Sequence, residues 1–166
     1  MFKVDVSQLK DNPGQVMSIS LRGILSREKE GGEEVVFTGP VKADLELSST
    51  AEAILVKGAV EASVQLSCAR CLEPFQLELK APFEEVYYHT GKGEEDWIFF
   101  SGSVIDLEPE IVKAILLEVP MKAVCRENCR GLCPQCGKNL NASLCACGRE
   151  NLDPRLAVLK DYFHQK

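Results

Sequence analysis

Two histidines are all that the 166-residue chain offers, His89 and His164, and they lack the spacing with which paired histidines hold a catalytic zinc. No glycine-rich loop ends in a phosphate-binding lysine, and Gly91-Lys92-Gly93 is too short to cradle a phosphate. Glu84 and Glu85 are adjacent carboxylates, but neighbours on a strand point to opposite faces and cannot share acid–base work. No apolar run is long enough to span a bilayer. The opening Met1-Phe2-Lys3-Val4-Asp5-Val6 passes straight into Ser7, Gln8 and Lys10 without the apolar stretch of a secretory leader. These absences argue against an enzyme and against a membrane partner, and they predict a cytoplasmic chain whose thiols stay reduced.

What the chain has instead is cysteine. Eight are present, and six crowd into the last third, at Cys125, Cys129, Cys133, Cys136, Cys145 and Cys147. Thiolates this close can converge on one tetrahedral metal ion, and structural zinc is the expected occupant. Cys133-Pro134-Gln135-Cys136-Gly137 reads as a zinc knuckle: Gly137 permits the tight turn and Pro134 stiffens it. Its partner pair is either Cys145/Cys147, closing a compact ribbon, or Cys125/Cys129 on a short turn. The former is preferred, and it leaves Cys125 and Cys129 for a second site whose complement would be Cys68 and Cys71. Cys68-Ala69-Arg70-Cys71 lies between two strands, the context of a hairpin turn; a redox dithiol sits at a helix start, where amides and the helix dipole lower the thiol pKa. Two reduced structural cysteines at a sheet end is an equally good reading of that pair. Iron–sulfur ligation also uses four thiolates, but the spacings match no ferredoxin run.

Elsewhere the patterning predicts an α+β fold. Ile54, Val56, Gly58, Val60, Ala62, Val64, Leu66 and Cys68 alternate with polar residues, the period of a half-buried strand. Val41 to Leu47 and Phe75 to Phe83 repeat the pattern on either side, predicting an antiparallel meander, open or barrel-like. Val16 to Ile24 reads as a fourth strand and the charged Arg27 to Glu34 stretch as an exposed loop. Thr90 to Asp96 has the composition of a solvated loop, and Trp97 to Phe100 reads as a short apolar strand. A helix is expected over about Asp106 to Val119, with Pro109 early, Pro120 as its stop, and Leu107, Ile111, Ile115 and Leu116 on its apolar side. A C-terminal helix is expected from Asp153 and Pro154, with Leu156, Leu159 and Phe163 on one face. The organisation is thus a β-rich part over 1–121 and a cysteine-rich segment with a terminal helix over 122–166.

Charge follows the same division. The net charge is −6, yet from Lys122 onward eight basic side chains face four acidic ones, whereas eleven face twenty-one before it. Between Lys122 and Arg149 the large apolar residues are few, so this stretch needs a staple, and small zinc sites supply on the order of 10 to 16 kcal/mol of apparent binding free energy. Arg126, Arg130 and Lys138 on such a knuckle, with Arg70 from the cysteine turn, are candidate phosphate contacts; a solvated face that aids solubility is the plain alternative. The acidic part could face a basic protein.

Several motifs occur in one order: Cys68-Ala69-Arg70-Cys71-Leu72-Glu73-Pro74-Phe75, Ile105-Asp106-Leu107, Glu118-Val119-Pro120, Cys129-Arg130-Gly131-Leu132-Cys133-Pro134-Gln135-Cys136-Gly137-Lys138-Asn139-Leu140-Asn141, and Asp153-Pro154-Arg155. With these the chain resembles the YceD family of bacterial and chloroplast proteins, described as large ribosomal RNA subunit accumulation proteins. The resemblance spans about Gly58 to Leu159. It implies a non-enzymatic role in processing or stabilising large-subunit ribosomal RNA during ribosome assembly, with that RNA or a pre-ribosomal particle as partner, and the basic protein facing the acidic part could then be a ribosomal one. It implies no catalytic residue, and some members lack the later cysteine cluster, so zinc would serve the shape of this branch. A zinc-containing adaptor that binds proteins without touching RNA is the competing reading.

Overall fold

Alternating apolar residues build the centre of the molecule. The computed structural model describes residues 2–25, 27–30, 33–89 and 97–147. Three long strands, β5 (Val41–Ser49), β6 (Ala53–Ser67) and β7 (Pro74–Tyr88), form the expected antiparallel meander, with β6 in the middle. Along β6, Ile54, Val56, Val60, Ala62, Val64 and Leu66 are buried, joined by Val41, Ala43, Leu45 and Leu47 from β5 and by Ala81 and Phe83 from β7. The predicted fourth strand is β2 (Val16–Gly23), which pairs with β5 over its whole length.

The sheet is open, not a barrel. Among the described residues β2 pairs with β5 alone, and β7 is joined on its far side only by the two-residue β8 (Ile98–Phe99), which runs parallel to it. The edge of β6 away from β7 is divided between β5, covering Ile54 to Glu61, and β4 (Glu33–Phe37), which meets Val64 and Gln65. No continuous strand is therefore left to carry the sheet around to the free edge of β7, and closure requires such a strand. β4 belongs to a hairpin with β3 (Arg27–Glu30), so the charged stretch predicted as a loop is an edge hairpin. Edge strands commonly carry charge, because solvent faces them and charge discourages pairing with other chains.

Helix α2 (Glu108–Leu117) lies against β6 and β7. It begins two residues later than predicted because Val104–Asp106 forms strand β9, whose Asp106 carboxylate accepts the Glu108 N–H at 3.1 Å. β9 pairs with the N-terminal strand β1 (Lys3–Asp5), followed by the one-turn helix α1 (Ser7–Lys10). This ribbon adds Phe2, Val4, Val6 and Leu9 to the core that Leu107, Ile111 and Ile115 fill from the helix side, while Leu116 is partly buried against it. The two adjacent carboxylates diverge as expected: Glu84 is exposed and ion-paired with Lys57 at 2.8 Å, whereas partial burial and the nearby Glu110 push the Glu85 carboxyl up. The predicted loop at Thr90 to Asp96 and the predicted C-terminal helix from Asp153 lie outside the described residues. No described helix is long and apolar enough to cross a membrane.

Candidate metal centres

The β6–β7 turn and the segment after α2 meet at one end of the sheet. Cys68, just past β6, donates its N–H to the Glu73 carbonyl, and Leu72 N–H returns to the Cys68 carbonyl at 2.9 Å. The second knuckle repeats this pattern at the same offsets, with Cys133 N–H to the Lys138 carbonyl and Gly137 N–H to the Cys133 carbonyl at 2.9 Å. In both, the residue after the second cysteine is left-handed: Leu72 at φ 60° and Gly137 at φ 69°. The Cys68/Cys71 pair is thus built like the Cys133/Cys136 pair, at a hairpin tip and not at a helix start.

The chain from Ala123 to Leu132 wraps that tip. Ala69 N–H donates to the Ala123 carbonyl and Leu132 N–H to the Arg70 carbonyl. The Arg70 guanidinium donates through Nη1 to the carbonyl oxygens of Glu127 at 2.9 Å and Cys129 at 3.1 Å. Arg70, a candidate phosphate contact, is therefore also a clamp within the protein, and the carboxylate of neighbouring Glu73 accepts from Asn139. Gly131 passes so close to this tip that a Cβ would stand 2.9 Å from the Arg70 carbonyl oxygen, and its φ of +72° is one that glycine alone adopts freely.

These contacts gather the cysteines into two sets of four, Cys68/Cys71/Cys125/Cys129 and Cys133/Cys136/Cys145/Cys147, each with its sulfurs within 4.8 Å of one another. The partition is the preferred one of the two read from the spacing. Cys68 Sγ lies 3.9 Å from Cys129 Sγ, and Cys71 Sγ 3.8 Å from Cys125 Sγ. A tetrahedral ion with metal–sulfur bonds of about 2.3 Å needs sulfur–sulfur edges of roughly 3.8 Å, which these two edges match, so the donor set fits a metal ion. All eight thiols are free of disulfides. The first set is mostly buried, and the second is more open, with Cys136 exposed.

Crowding sets the thiols apart from one another. The Cys125 N–H holds the Cys68 thiol down to about 6, and the Cys136 and Gln135 amides hold Cys133 down to about 6. Burial pushes Cys125 up to about 12, and the hydrogen bond with Cys136 pushes Cys147 up to about 12. Four adjacent thiols cannot all ionise without a cation among them, which a coordinated metal would supply. The other candidate contacts, Arg126, Arg130 and Lys138, are exposed on the segment that carries these sets. What the sequence did not reveal is the share taken by polar residues: Asn141 donates to Cys129 Sγ at 3.3 Å. Its sequence signals were its place inside the Cys136–Cys145 interval and at the end of the Cys129–Asn141 run, and neither names its partner.

A family model described as large ribosomal RNA subunit accumulation protein YceD matches residues 56–162, which takes in most of β6, all of β7 and α2, and every cysteine. An uncharacterised protein of Mycobacterium tuberculosis is 35% identical over 164 residues, covering 94% of this chain and 78% of that protein. The uncharacterised protein YlbN of Bacillus subtilis is 25% identical, covering 99% and 98%. The chloroplastic YCED homolog 1 of Arabidopsis thaliana, named a large ribosomal RNA subunit accumulation protein, is 28% identical, covering 76% of this chain and 50% of its own. No solved structure matches. On the match over residues 56–162, the chain belongs to the YceD family.

Proposed function

We propose that this chain is a non-enzymatic cytoplasmic factor in the processing and accumulation of large-subunit ribosomal RNA, acting during ribosome assembly with two structural zinc ions. The carrying observation is the family match, which spans the long hairpin, the helix and both cysteine sets as one unit. Two closed sets of four sulfurs favour a structural metal, because a tetrathiolate site keeps no open position for substrate or water. Cys68, Cys71, Cys125 and Cys129 would hold one ion, and Cys133, Cys136, Cys145 and Cys147 the other. Zinc suits a reduced thiolate tetrahedron and needs no redox change to serve as a staple.

The reading favours direct contact with RNA through Arg126, Arg130 and Lys138. They stand exposed on a segment whose only acidic residue between Lys122 and Arg149 is Glu127. Phosphate contacts of this kind weaken with salt and carry no base specificity. In a strain depleted of the protein, precursors of the large subunit should accumulate while small-subunit maturation is spared; normal profiles would reject the role. Changing Arg130 and Lys138 to Glu should lower affinity for a large-subunit precursor at low salt by about tenfold or more, from two charge reversals, with zinc content unchanged. Equal affinity would remove the basic knuckle from the interface. Arg70 favours the competing adaptor reading in one respect, since its guanidinium is engaged by two carbonyl oxygens. Crosslinking that recovers ribosomal proteins with the chain but no RNA would decide for the adaptor.

A further inference from the structure

The loop closed by the second cysteine set reaches back into the first. Asn139 and Asn141 lie between Cys136 and Cys145, on an arc tied down by the Lys138 carbonyl, which accepts from Cys133 N–H, and by Leu140 N–H, which donates to the Gly131 carbonyl. The Arg130 N–H donates to Asn141 Oδ1 at 2.9 Å. A backbone N–H can only donate, so this contact fixes the amide's orientation and turns Nδ2 toward Cys129 Sγ, 3.3 Å away. Asn139 Oδ1 accepts from both the backbone N–H and the side-chain Nδ2 of Asn141, at 2.9 and 3.0 Å. Asn139 Nδ2 in turn donates to Glu73 Oε1 on the β6–β7 turn at 3.2 Å. An unbroken polar chain therefore runs from the hairpin tip, through the arc of the second set, onto a sulfur of the first.

We infer that Asn141 is a positioning residue that couples the two metal sites, so that filling the more open second set tightens metal binding at the mostly buried first set. The inference rests on the zinc reading above. A metal on Cys133, Cys136, Cys145 and Cys147 fixes the two ends of the arc, and the fixed arc holds the Asn141 amide on the Cys129 thiolate. Four thiolates around a divalent ion carry a net charge of minus two, and an N–H aimed at one sulfur draws off part of it while orienting that ligand. Removing such a partner costs a metal site roughly 10–100-fold in affinity. Linkage makes the effect reciprocal: metal at the first set holds Cys129 against the amide and so favours the second.

The decisive substitution is Asn141→Asp, which keeps an oxygen for the Arg130 N–H, removes the donor and places a negative charge beside the sulfur. Zinc in the full chain is counted and its affinity read by competition with a chromophoric chelator. Two ions per chain are expected. Cys145→Ser with Cys147→Ser should empty the second set and weaken the remaining ion about 10–100-fold, and Asn141→Asp alone should weaken the first ion to a similar degree. In the Asn141→Asp background the cysteine pair should add no further weakening at the first set, since the coupling is already broken.

Cobalt(II) in place of zinc separates coupling from a turn that merely folds less well. Its thiolate charge-transfer band at the first set should move to lower energy in Asn141→Asp, and also in the Cys145→Ser, Cys147→Ser chain, which leaves Asn141 intact. Two zinc ions that bind independently, or a cobalt band that stays in place in both variants, would overturn the coupling and leave the zinc reading standing. Fewer than two ions in the unaltered chain would overturn the zinc reading and the coupling with it.

Discussion

Leu72 occupies the position that Gly137 takes in the second knuckle, and it adopts the same left-handed backbone with a side chain that is 66% exposed. A left-handed conformation costs an L-residue roughly 1–2 kcal/mol, and glycine forfeits about half to one through the freedom of its unfolded chain. No core contact offsets that cost at so exposed a side chain. Leu72→Gly should therefore raise the stability of the metal-loaded protein by up to about 1 kcal/mol, seen as a higher denaturation midpoint at unchanged slope; a lower midpoint would show that Leu72 packs usefully at the tip. Residues of this kind mark what a sequence shows and hides. The knuckle at Cys133 was legible because proline and glycine punctuate it, whereas its twin at Cys68 lacks both. Arg70 was legible only as a charge, since its partners are backbone carbonyls, which carry no signature in the sequence.

Among the strands, Gly58 breaks the inward alternation of β6 at a crowded point. It pairs with Leu45 on β5 and Phe83 on β7, and a Cβ there would drive into the Asp44 carbonyl oxygen and stand 2.9 Å from the Leu45 Cα. Backbone cannot give way as a flexible side chain would. Gly58→Ala should lower stability by about 1–3 kcal/mol, as overpacking does, with zinc content unchanged; urea unfolding followed by far-UV circular dichroism checks it. The three long strands were readable because each buries one face, so hydrophobicity alternates with the pleat. The β3–β4 hairpin was not, because its charged run from Arg27 to Glu34 has the composition of a loop, although Val35 and Phe37 at its end reach the core. β1 and α1 escaped notice for a different reason: Phe2, Val4, Val6 and Leu9 form too short a run to establish a period, and only their burial in the shared cluster reveals them as core.

The molecule joins two kinds of stability. On one side a sheet and two helices bury a continuous apolar core; on the other, the chain from Lys122 to Cys147 contributes Ala123 to that core and otherwise packs Val124, Cys125 and Leu132 around sulfur. The clustering of cysteine and the shortage of large apolar residues in the later segment were plain in the sequence. The polar chain of Glu73, Asn139 and Asn141 that binds the halves was not visible, because asparagines in a loop look alike until their partners are known. Zinc in small thiolate sites supplies on the order of 10 to 16 kcal/mol, comparable with the roughly 5–15 kcal/mol that stabilises a whole domain. Stripping the metal with a strong chelator under reducing conditions should therefore release the backbone amides of residues 124–147, and of Cys68 to Leu72 at the hairpin tip, to fast hydrogen exchange. Val56 and Val60 in the centre of β6 should stay protected, because their neighbours on β5, β7 and α2 owe nothing to the metal. Simultaneous loss of protection in both regions would mean that the sheet depends on the ions as well. Unchanged protection at 124–147 would mean that hydrogen bonds such as Ala69 to Ala123 and Leu132 to Arg70 suffice to hold the segment without metal.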